Sequence, residues 1–383
     1  MDTTSITSPL RSPRTCALAL FVALTTVSKP SRGAPPTWDL QSKLRLSLCY
    51  DETAIPRTGR DRSPVDSACT TVEPGIALKR RSGPDLIDMR YRLRAKMYEE
   101  LSSRDAQAHY ATLAWRKRVL PQTTLSVNDR FAYSLDSGGE QDEAVTRPTT
   151  YTNNKLKLAM ETRTGETWRW LVDVVHERRL YDDHYFDNWY TISPTVGVEW
   201  RSTQHCRLSL RQELKHLSIE DADPERTRRT LAGYACRLPW NLDFDIRAGV
   251  LTLDDGTNTE PAGYVRFSRR WKKGALSVKW DRSTSISSGN ARVVRRDYLV
   301  VQPRYRLTAK TQASARVGLV VQDSVGDDYT DTTTWRSGVT VRRTLARGIS
   351  ADVGYTYVDQ NVRGRSGTPL SGSIVSMGVT AAF

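Results

Sequence analysis

The sequence predicts an all-β protein, a single-chain transmembrane antiparallel β-barrel of about sixteen strands, with eighteen as the alternative. From Asp88 onward, segments of about ten residues alternate between apolar and polar side chains. The connections between these segments are alternately short and long, as in a barrel with tight turns at one end and loops at the other. No run of about 20 apolar residues could form a membrane-spanning helix. A mean hydropathy of −0.54 is compatible with a barrel, because polar residues fill its interior.

The candidate strands are even in number, as a barrel with both chain ends in the periplasm requires. They cover residues 88–100, 107–118, 123–135, 151–161, 167–178, 189–200, 206–217, 230–238, 241–253, 262–271, 275–284, 295–307, 311–322, 333–343, 348–358 and 373–383. Short connections such as Pro239–Trp240 and Lys272–Gly274 contain residues that favour tight turns. Longer polar connections, such as Asp136–Thr150 and Asp359–Gly372, are expected on the external side.

The last candidate strand ends the chain on an aromatic residue. Val375, Met377 and Val379 alternate with small or polar residues and lead to Phe383, a pattern typical of bacterial outer-membrane barrels. A soluble sandwich or propeller would also have alternating strands. Tryptophans near strand ends favour the barrel, because aromatic girdles form at the two membrane interfaces. These residues are Trp168, Trp200, Trp240, Trp271, Trp280 and Trp335.

The N-terminus has the pattern of a secretory signal. An apolar run, Ala17–Val27, follows Arg11 and Arg14 and precedes a small-residue cleavage option after Gly33. A short buried helix is the alternative, which Pro30 disfavours because proline closes the run. We therefore assign residues 1–33 to a signal peptide.

Residues 34–87 do not follow the rhythm of the later strands. The segment is rich in proline and arginine, and long irregular stretches are uncommon inside compact domains. We assign residues 34–87 to a periplasmic or lumen-inserted N-terminal extension, and residues 88–383 to the barrel. Leu44, Leu46, Leu48 and Tyr50 alternate well, so two further strands, eighteen in all, are the close alternative.

Four cysteines in the mature chain could form two disulfides. Cys49 and Cys69 bracket a loop, and Cys206 and Cys236 lie on neighbouring predicted strands. An oxidising periplasm permits both pairs. Free buried thiols remain an equal alternative for Cys206 and Cys236, because a disulfide also needs matching strand register.

The polar face of the predicted strands is basic. When the apolar members of each strand point to lipid, inward bases outnumber inward acids. Rings of arginine and lysine select anions in pores, and the planar guanidinium binds carboxylates bidentately. The candidate anion ladder is Arg90, Arg92, Arg94, Lys96, Arg130, Arg169, Arg211, Arg247, Arg266, Arg304, Arg306, Arg316 and Arg336. Alternatively, these arginines pair with lumen acids and only fill the barrel.

Signatures of catalysis and of cofactor binding are not found in the sequence. The five histidines are scattered, and none belongs to a recognisable nucleophile motif. Asp254–Asn258 lacks calcium-loop spacing, and no cysteine spacing resembles a zinc site. We therefore expect no enzyme activity, metal or cofactor, and no nucleic-acid partner.

Two strand-turn-strand units carry a family resemblance. Tyr305–Arg316 and Arg342–Tyr357 resemble the corresponding units of outer-membrane porins associated with exopolysaccharide gene clusters. The similarity covers about residues 88–383 and is one of style rather than of a specific motif. It implies a polysaccharide-related role in the outer membrane, and it assigns no individual site residue.

These observations predict a passive channel in the bacterial outer membrane that passes anionic solutes, notably acidic oligo- or polysaccharide, in export or uptake. The expected partners are outer-membrane lipid, an anionic saccharide and periplasmic export machinery. One alternative is a closed structural barrel whose loops bind a partner at the cell surface. The other is a barrel lipid hydrolase, which would need a Ser-His-acid cluster at its rim.

Overall fold

The computed structural model describes residues 37–54, 65–101, 105–136, 149–182, 187–220, 223–253, 258–286, 293–324, 330–364 and 370–383. The predicted signal peptide, residues 1–33, lies outside the described residues. In the part of the chain that the structure describes, no helix is both long enough and apolar enough to cross a membrane.

The described residues form one closed antiparallel sheet. Its strands are β1 (Thr37–Ala54), β2 (Val65–Ser82), β3 (Asp85–Tyr98), β4 (Ala106–Leu120), β5 (Thr123–Asp136), β6 (Thr149–Thr164), β7 (Trp168–Tyr181), β8 (Trp189–Arg201), β9 (Cys206–Ile219), β10 (Glu225–Leu238), β11 (Leu242–Leu253), β12 (Asn258–Trp271), β13 (Gly274–Ile286), β14 (Val293–Arg306), β15 (Thr311–Ser324), β16 (Thr330–Ala346), β17 (Ile349–Gly364) and β18 (Leu370–Ala382). Each strand pairs with its neighbours in sequence, and β1 pairs with β18 to close the barrel.

The preferred strand number, sixteen, was wrong, and the alternative of eighteen is correct. The assignment of residues 34–87 to an extension was also wrong, because β1 and β2 are part of the barrel wall. In a sixteen-stranded barrel β3 would pair directly with β18, but here β1 and β2 lie between them, since β1 pairs with β18 and β2 pairs with β3. This closure is a physical requirement, because unpaired backbone groups are very costly in hydrocarbon.

The two ends of the barrel differ in their connections. Each even-numbered strand joins the next odd-numbered strand through a short turn at one end, here called the turn end. Gly83, Gly165 and Gly348 have positive φ there, as do Trp240 and Asn241, and tight hairpin turns require such conformations. The longer connections lie at the opposite, loop end. The start of β1 and the end of β18 lie at the turn end.

Phe383 completes the seam at which the barrel closes. Its backbone NH donates to Ser42 O at 2.9 Å, and Ser42 NH donates to Phe383 O at 3.3 Å. The ring is exposed on the outside of the turn end, with 79% of its surface accessible. The terminal aromatic residue therefore belongs to the first and last strand pair, and not to a free tail.

The register separates the wall into two faces. Residues directly opposite each other on paired strands point to the same side of the sheet. The exposed large apolar residues, among them Leu46, Val174 and Val353, all fall on one face. On the other face, Arg229 of β10 reaches Asp281 of β13 at 2.6 Å, across two intervening strands. That face is therefore the interior, and the apolar face is directed outward, which is the architecture of proteins that span the bacterial outer membrane.

Two disulfides join adjacent strands. Cys49 lies directly opposite Cys69 across β1 and β2, and the two are bonded. Cys206 and Cys236 are likewise opposite and bonded across β9 and β10. The first bridge faces the interior near the loop end, and the second lies at the turn end.

Candidate functional site in the barrel lumen

The structure places every residue of the predicted ladder on the inward face. Within β3, Arg90, Arg92, Arg94 and Lys96 all point inward, and their opposite residues in β2 and β4 share that face. The strand register around the rest of the barrel places the other ladder residues on the inward face as well. These residues are Arg130, Arg169, Arg211, Arg247, Arg266, Arg304, Arg306, Arg316 and Arg336. Their distribution around the wall follows from the phase of each strand, because side chains alternate along a strand.

Many ladder residues are ion-paired rather than free. The pairs are Arg90 with Asp88, Arg94 with Glu73, Lys96 with Asp51, and Arg247 with Asp245. Arg90 and Arg247 each bind their aspartate through two nitrogens, the bidentate geometry that guanidinium favours. Arg316 donates to the hydroxyl of Tyr298 at 2.8 Å. Part of the predicted ladder is thus neutralised within the wall.

Glu199 forms the largest of these charge clusters. Its carboxylate accepts from Arg211 at 2.7 Å and from Arg169 at 3.4 Å, and Arg207 lies 3.6 Å away. Arg169 also pairs with Glu161. The Glu199 side chain is only 5% exposed. This one buried carboxylate is therefore shared by three guanidinium groups that still reach lumen water.

Other ladder members have no acidic partner. Within the described residues, Arg130, Arg266, Arg304 and Arg306 form no ion pair. Of these, Arg266, Arg304 and Arg306 are exposed to the lumen and lie toward the turn end of β12 and β14. The turn end of the lumen therefore carries positive charge that the described wall does not neutralise.

A recess at the turn end extends this basic region. Its charged lining residues are Arg201, Arg207, Arg237, Asp243, Asp245, Arg266 and Arg270. Of the arginines, Arg237 is paired with Asp243 at 2.8 Å. The other four arginines outnumber the one remaining acid, Asp245, so the recess carries a net positive charge. An anion that enters from this end therefore meets guanidinium groups first.

Sequence reasoning missed several inward bases. Arg45 of β1 reaches Asp352 of β17 at 2.9 Å, and it lay in the segment assigned to an extension. The alternation of Leu44, Leu46 and Leu48 was the signal that could have placed Arg45 inward. Arg229 was missed because β10 begins at Glu225, five residues before the predicted strand.

Aromatic rings lie between cationic groups on the inner wall. The guanidinium of Arg247 lies 4.9 Å from the centre of the Tyr264 ring, and that of Arg296 lies 5.1 Å from Tyr298. Lys279 lies within cation–π distance of both rings, at 5.7 and 5.4 Å. This band can offer a passing solute both charged donors and flat apolar surface.

The loop end of the lumen is different in character. Residues of β7 to β14 form a buried apolar cluster there, comprising Tyr181, Trp189, Leu217, Ile219, Leu231, Leu251, Leu253, Ala262 and Val293. The guanidinium of Arg179 lies 5.4 Å from the Trp189 ring, at the border of the cluster. On this half of the circumference the lumen therefore changes from apolar at the loop end to basic at the turn end.

The described residues contain no group of three or more His, Cys, Asp or Glu side chains arranged to hold a metal ion. His109, His176 and His216 lie on the outward face of the wall. The ring of His109 is hydrogen bonded to Tyr91 at 2.8 Å. These histidines therefore face away from the lumen.

Comparison with known proteins gives distant structural similarity only. No protein-family model and no curated protein sequence matches the chain. The outer-membrane protein OpdK of Pseudomonas aeruginosa is 13% identical over 90% of this chain and 99% of its own, with a TM-score of 0.46. OccAB4 of Acinetobacter baumannii is 11% identical over 93% and 100%, and the siderophore receptor PirA of P. aeruginosa is 9% identical over 91% and 81%, both with a TM-score of 0.46. Scores this low carry no argument about function.

Proposed function

We propose that the protein is an outer-membrane channel that passes anionic solutes through its arginine-lined lumen. The observation that carries the proposal is the set of lumen arginines without acidic partners in the described wall, Arg266, Arg304 and Arg306. Fixed positive charge in a low-dielectric channel concentrates anions and repels cations. In the proposed orientation the turn end faces the periplasm and the loop end faces outside, with residues 1–33 acting as a secretory signal.

The proposed solute class is acidic oligo- or polysaccharide, in export or uptake. A uronate carboxylate suits the guanidinium fork, and the rings of Tyr264 and Tyr298 beside Arg247 and Arg296 offer flat surface to the sugar. Repeated weak contacts let a polymer move from one group to the next without being trapped. The resemblance to porins associated with exopolysaccharide clusters supports the same class, and makes periplasmic export machinery the proposed partner.

Current block by oligosaccharides tests this proposal. The mature protein is reconstituted in planar bilayers, and an oligouronate is compared with a neutral oligosaccharide of the same length. We expect the oligouronate to interrupt the current transiently, with the neutral sugar having little effect. The double variant Arg304→Gln/Arg306→Gln should shorten the blocks, because two carboxylate partners are lost.

The matched control is Arg269→Gln/Arg343→Gln. These arginines are exposed at the turn end but point outward, so the block should be unchanged. Equal block by the acidic and neutral sugars would contradict the saccharide proposal, and a sealed pore would contradict the channel itself.

A further inference from the structure

One sector of the outer wall carries three exposed arginines near the loop end. Arg178 of β7 and Arg226 and Arg228 of β10 are exposed on the outward face near the loop end. Register fixes their direction, because Arg178 lies opposite Tyr190, and Arg228 lies opposite Leu214. Tyr190 and Leu214 are themselves exposed outward, at 41% and 46%. We call Arg178, Arg226 and Arg228 the outer basic strip.

The strip lies at the level expected for lipid headgroups. Below it, β7 presents Trp168, Trp170, Val172 and Val174 outward, all exposed. From Trp168 to Arg178 is ten residues, which at about 3.3 Å per residue and a tilt of about 40° rises roughly 25 Å. That equals the height of the apolar band of an outer-membrane barrel. The strip therefore borders the leaflet on the loop side, at the opposite end of the apolar band from Trp168.

The charge of the strip is not neutralised within the wall. None of its three arginines forms an ion pair with a described residue, although Gln212 can accept from Arg228 once its amide is turned. Asp129, a carboxylate on the outward face of β5, accepts a hydrogen bond from Asn154 at 2.8 Å and forms no ion pair with the strip.

Elsewhere on the outer face the chain does pair such charges. Arg282 binds Asp297 through two nitrogens, at 2.7 and 2.8 Å. The strip differs from this position in having no carboxylate partner among the described residues, so an external anion can compensate its charge.

We propose that the strip binds the phosphorylated headgroup of a lipid in the loop-side leaflet. Arginine binds phosphate through parallel N–H donors, and Tyr190 supplies an amphipathic ring at the interface. Arg178 and Arg226 are three strands and two residues of register apart, which is about 16 Å, and this suits a large headgroup with more than one phosphate. The inference rests on the membrane orientation proposed above, but not on conduction.

Native mass spectrometry of the mature protein in detergent tests the proposal. The probe is a bisphosphorylated glucosamine-based glycolipid, compared with the same lipid after enzymatic dephosphorylation. We expect the phosphorylated lipid to bind at least tenfold more tightly. The variant Arg178→Gln/Arg226→Gln/Arg228→Gln should lose that preference, while Arg269→Gln/Arg343→Gln, with outward arginines at the turn end, should keep it. Inorganic phosphate at the same concentration should not displace the lipid.

Four results would overturn the proposal. The two lipids could bind equally, the triple variant could keep its preference, or the strip could hold a second copy of the chain, seen as a lipid-independent oligomer that the triple variant loses. Displacement by inorganic phosphate would assign the strip to free phosphate and so overturn the lipid assignment. Heat-modifiable gel mobility verifies that each variant is folded. Conductance of the triple variant should be unchanged, so failure here is distinguishable from failure of the channel proposal.

Discussion

Replacing Glu199 with glutamine tests how the lumen balances its positive charge. Glutamine keeps the shape of the side chain and removes one negative charge from beside Arg211, Arg169 and Arg207, which lie at 2.7, 3.4 and 3.6 Å. Removing one partner of a buried ion pair costs about 3–5 kcal/mol. The three guanidinium side chains are 30%, 35% and 46% exposed, so water screens part of this loss. We therefore expect Glu199→Gln to lower the free energy of unfolding by about 1–3 kcal/mol.

The same change should make the pore more selective for anions. One unit of charge acting over about 8 Å of water is worth roughly 0.5 kcal/mol, or about a twofold change in local anion occupancy. Cation occupancy falls by the same factor, so the anion-to-cation permeability ratio of Glu199→Gln should rise about fourfold. It is measured as a reversal potential in planar bilayers at low salt, because the Debye length is about 10 Å at 0.1 M.

Asp297→Asn is the matched control for this prediction. It also removes a paired carboxylate, but Asp297 faces outward with Arg282. Its reversal potential should equal that of the unmodified chain, while urea unfolding shows a loss of stability. An unchanged reversal potential in a folded Glu199→Gln protein would refute the reasoning, because Glu199 would then lie off the ion path.

Three further predictions concern the wall. First, the unreduced mature chain should contain no titratable thiol, and Cys49→Ser/Cys69→Ser should lower the free energy of unfolding by about 3 kcal/mol, since the bonded residues are 20 apart in sequence; a free thiol in the unreduced protein would contradict the pairing. Second, Gly249→Ala should prevent assembly, seen as loss of the heat-modifiable band on a gel, because a Cβ there would lie 1.8 Å from Thr230 O. The control is Gly75→Ala, which should assemble normally because the nearest atom to its Cβ would be 3.4 Å away. Normal assembly of both variants would disprove the close approach of β10 and β11. Third, Arg229→Gln should lower stability by about 1–3 kcal/mol in urea unfolding, because the guanidinium of Arg229 donates to Asp281 and to the carbonyls of Gly263 and Arg282; Arg269→Gln is its control, and equal stability of the two variants would contradict the cross-link.

Alternation predicted the strands well where lipid and lumen impose it. The predicted strand 206–217 corresponds to β9, Cys206–Ile219, and 311–322 corresponds to β15, Thr311–Ser324. Strand ends beyond the apolar band were missed, because both faces are polar there and backbone pairing continues without a pattern. Thus β17 extends to Gly364, six residues past its predicted end at 358.

The first two strands were missed for another reason. The alternation in β1 is clear, but residues 55–64 and the prolines nearby suggested an irregular segment. The observed pairing of β1 with β18 and of β2 with β3, which a local sequence pattern does not contain, places both strands in the wall.

The direction of site residues was predictable, and their partners were not. The period-two pattern places Arg211 and Arg304 inward. The Arg229–Asp281 pair depends on register and wall curvature across four strands, and these are set by the closed barrel as a whole. For the same reason, the division of the ladder into neutralised and unpaired arginines could not be read from the residues.

The most direct test of the account is the reversal potential of the mature protein in a planar bilayer with a KCl gradient across it. The inward face carries arginines such as Arg266, Arg304 and Arg306 that form no ion pair with a described residue. The reversal potential should therefore have the sign expected when chloride is more permeant than potassium. A potential of the opposite sign, or no conductance from a folded and inserted barrel, would contradict it.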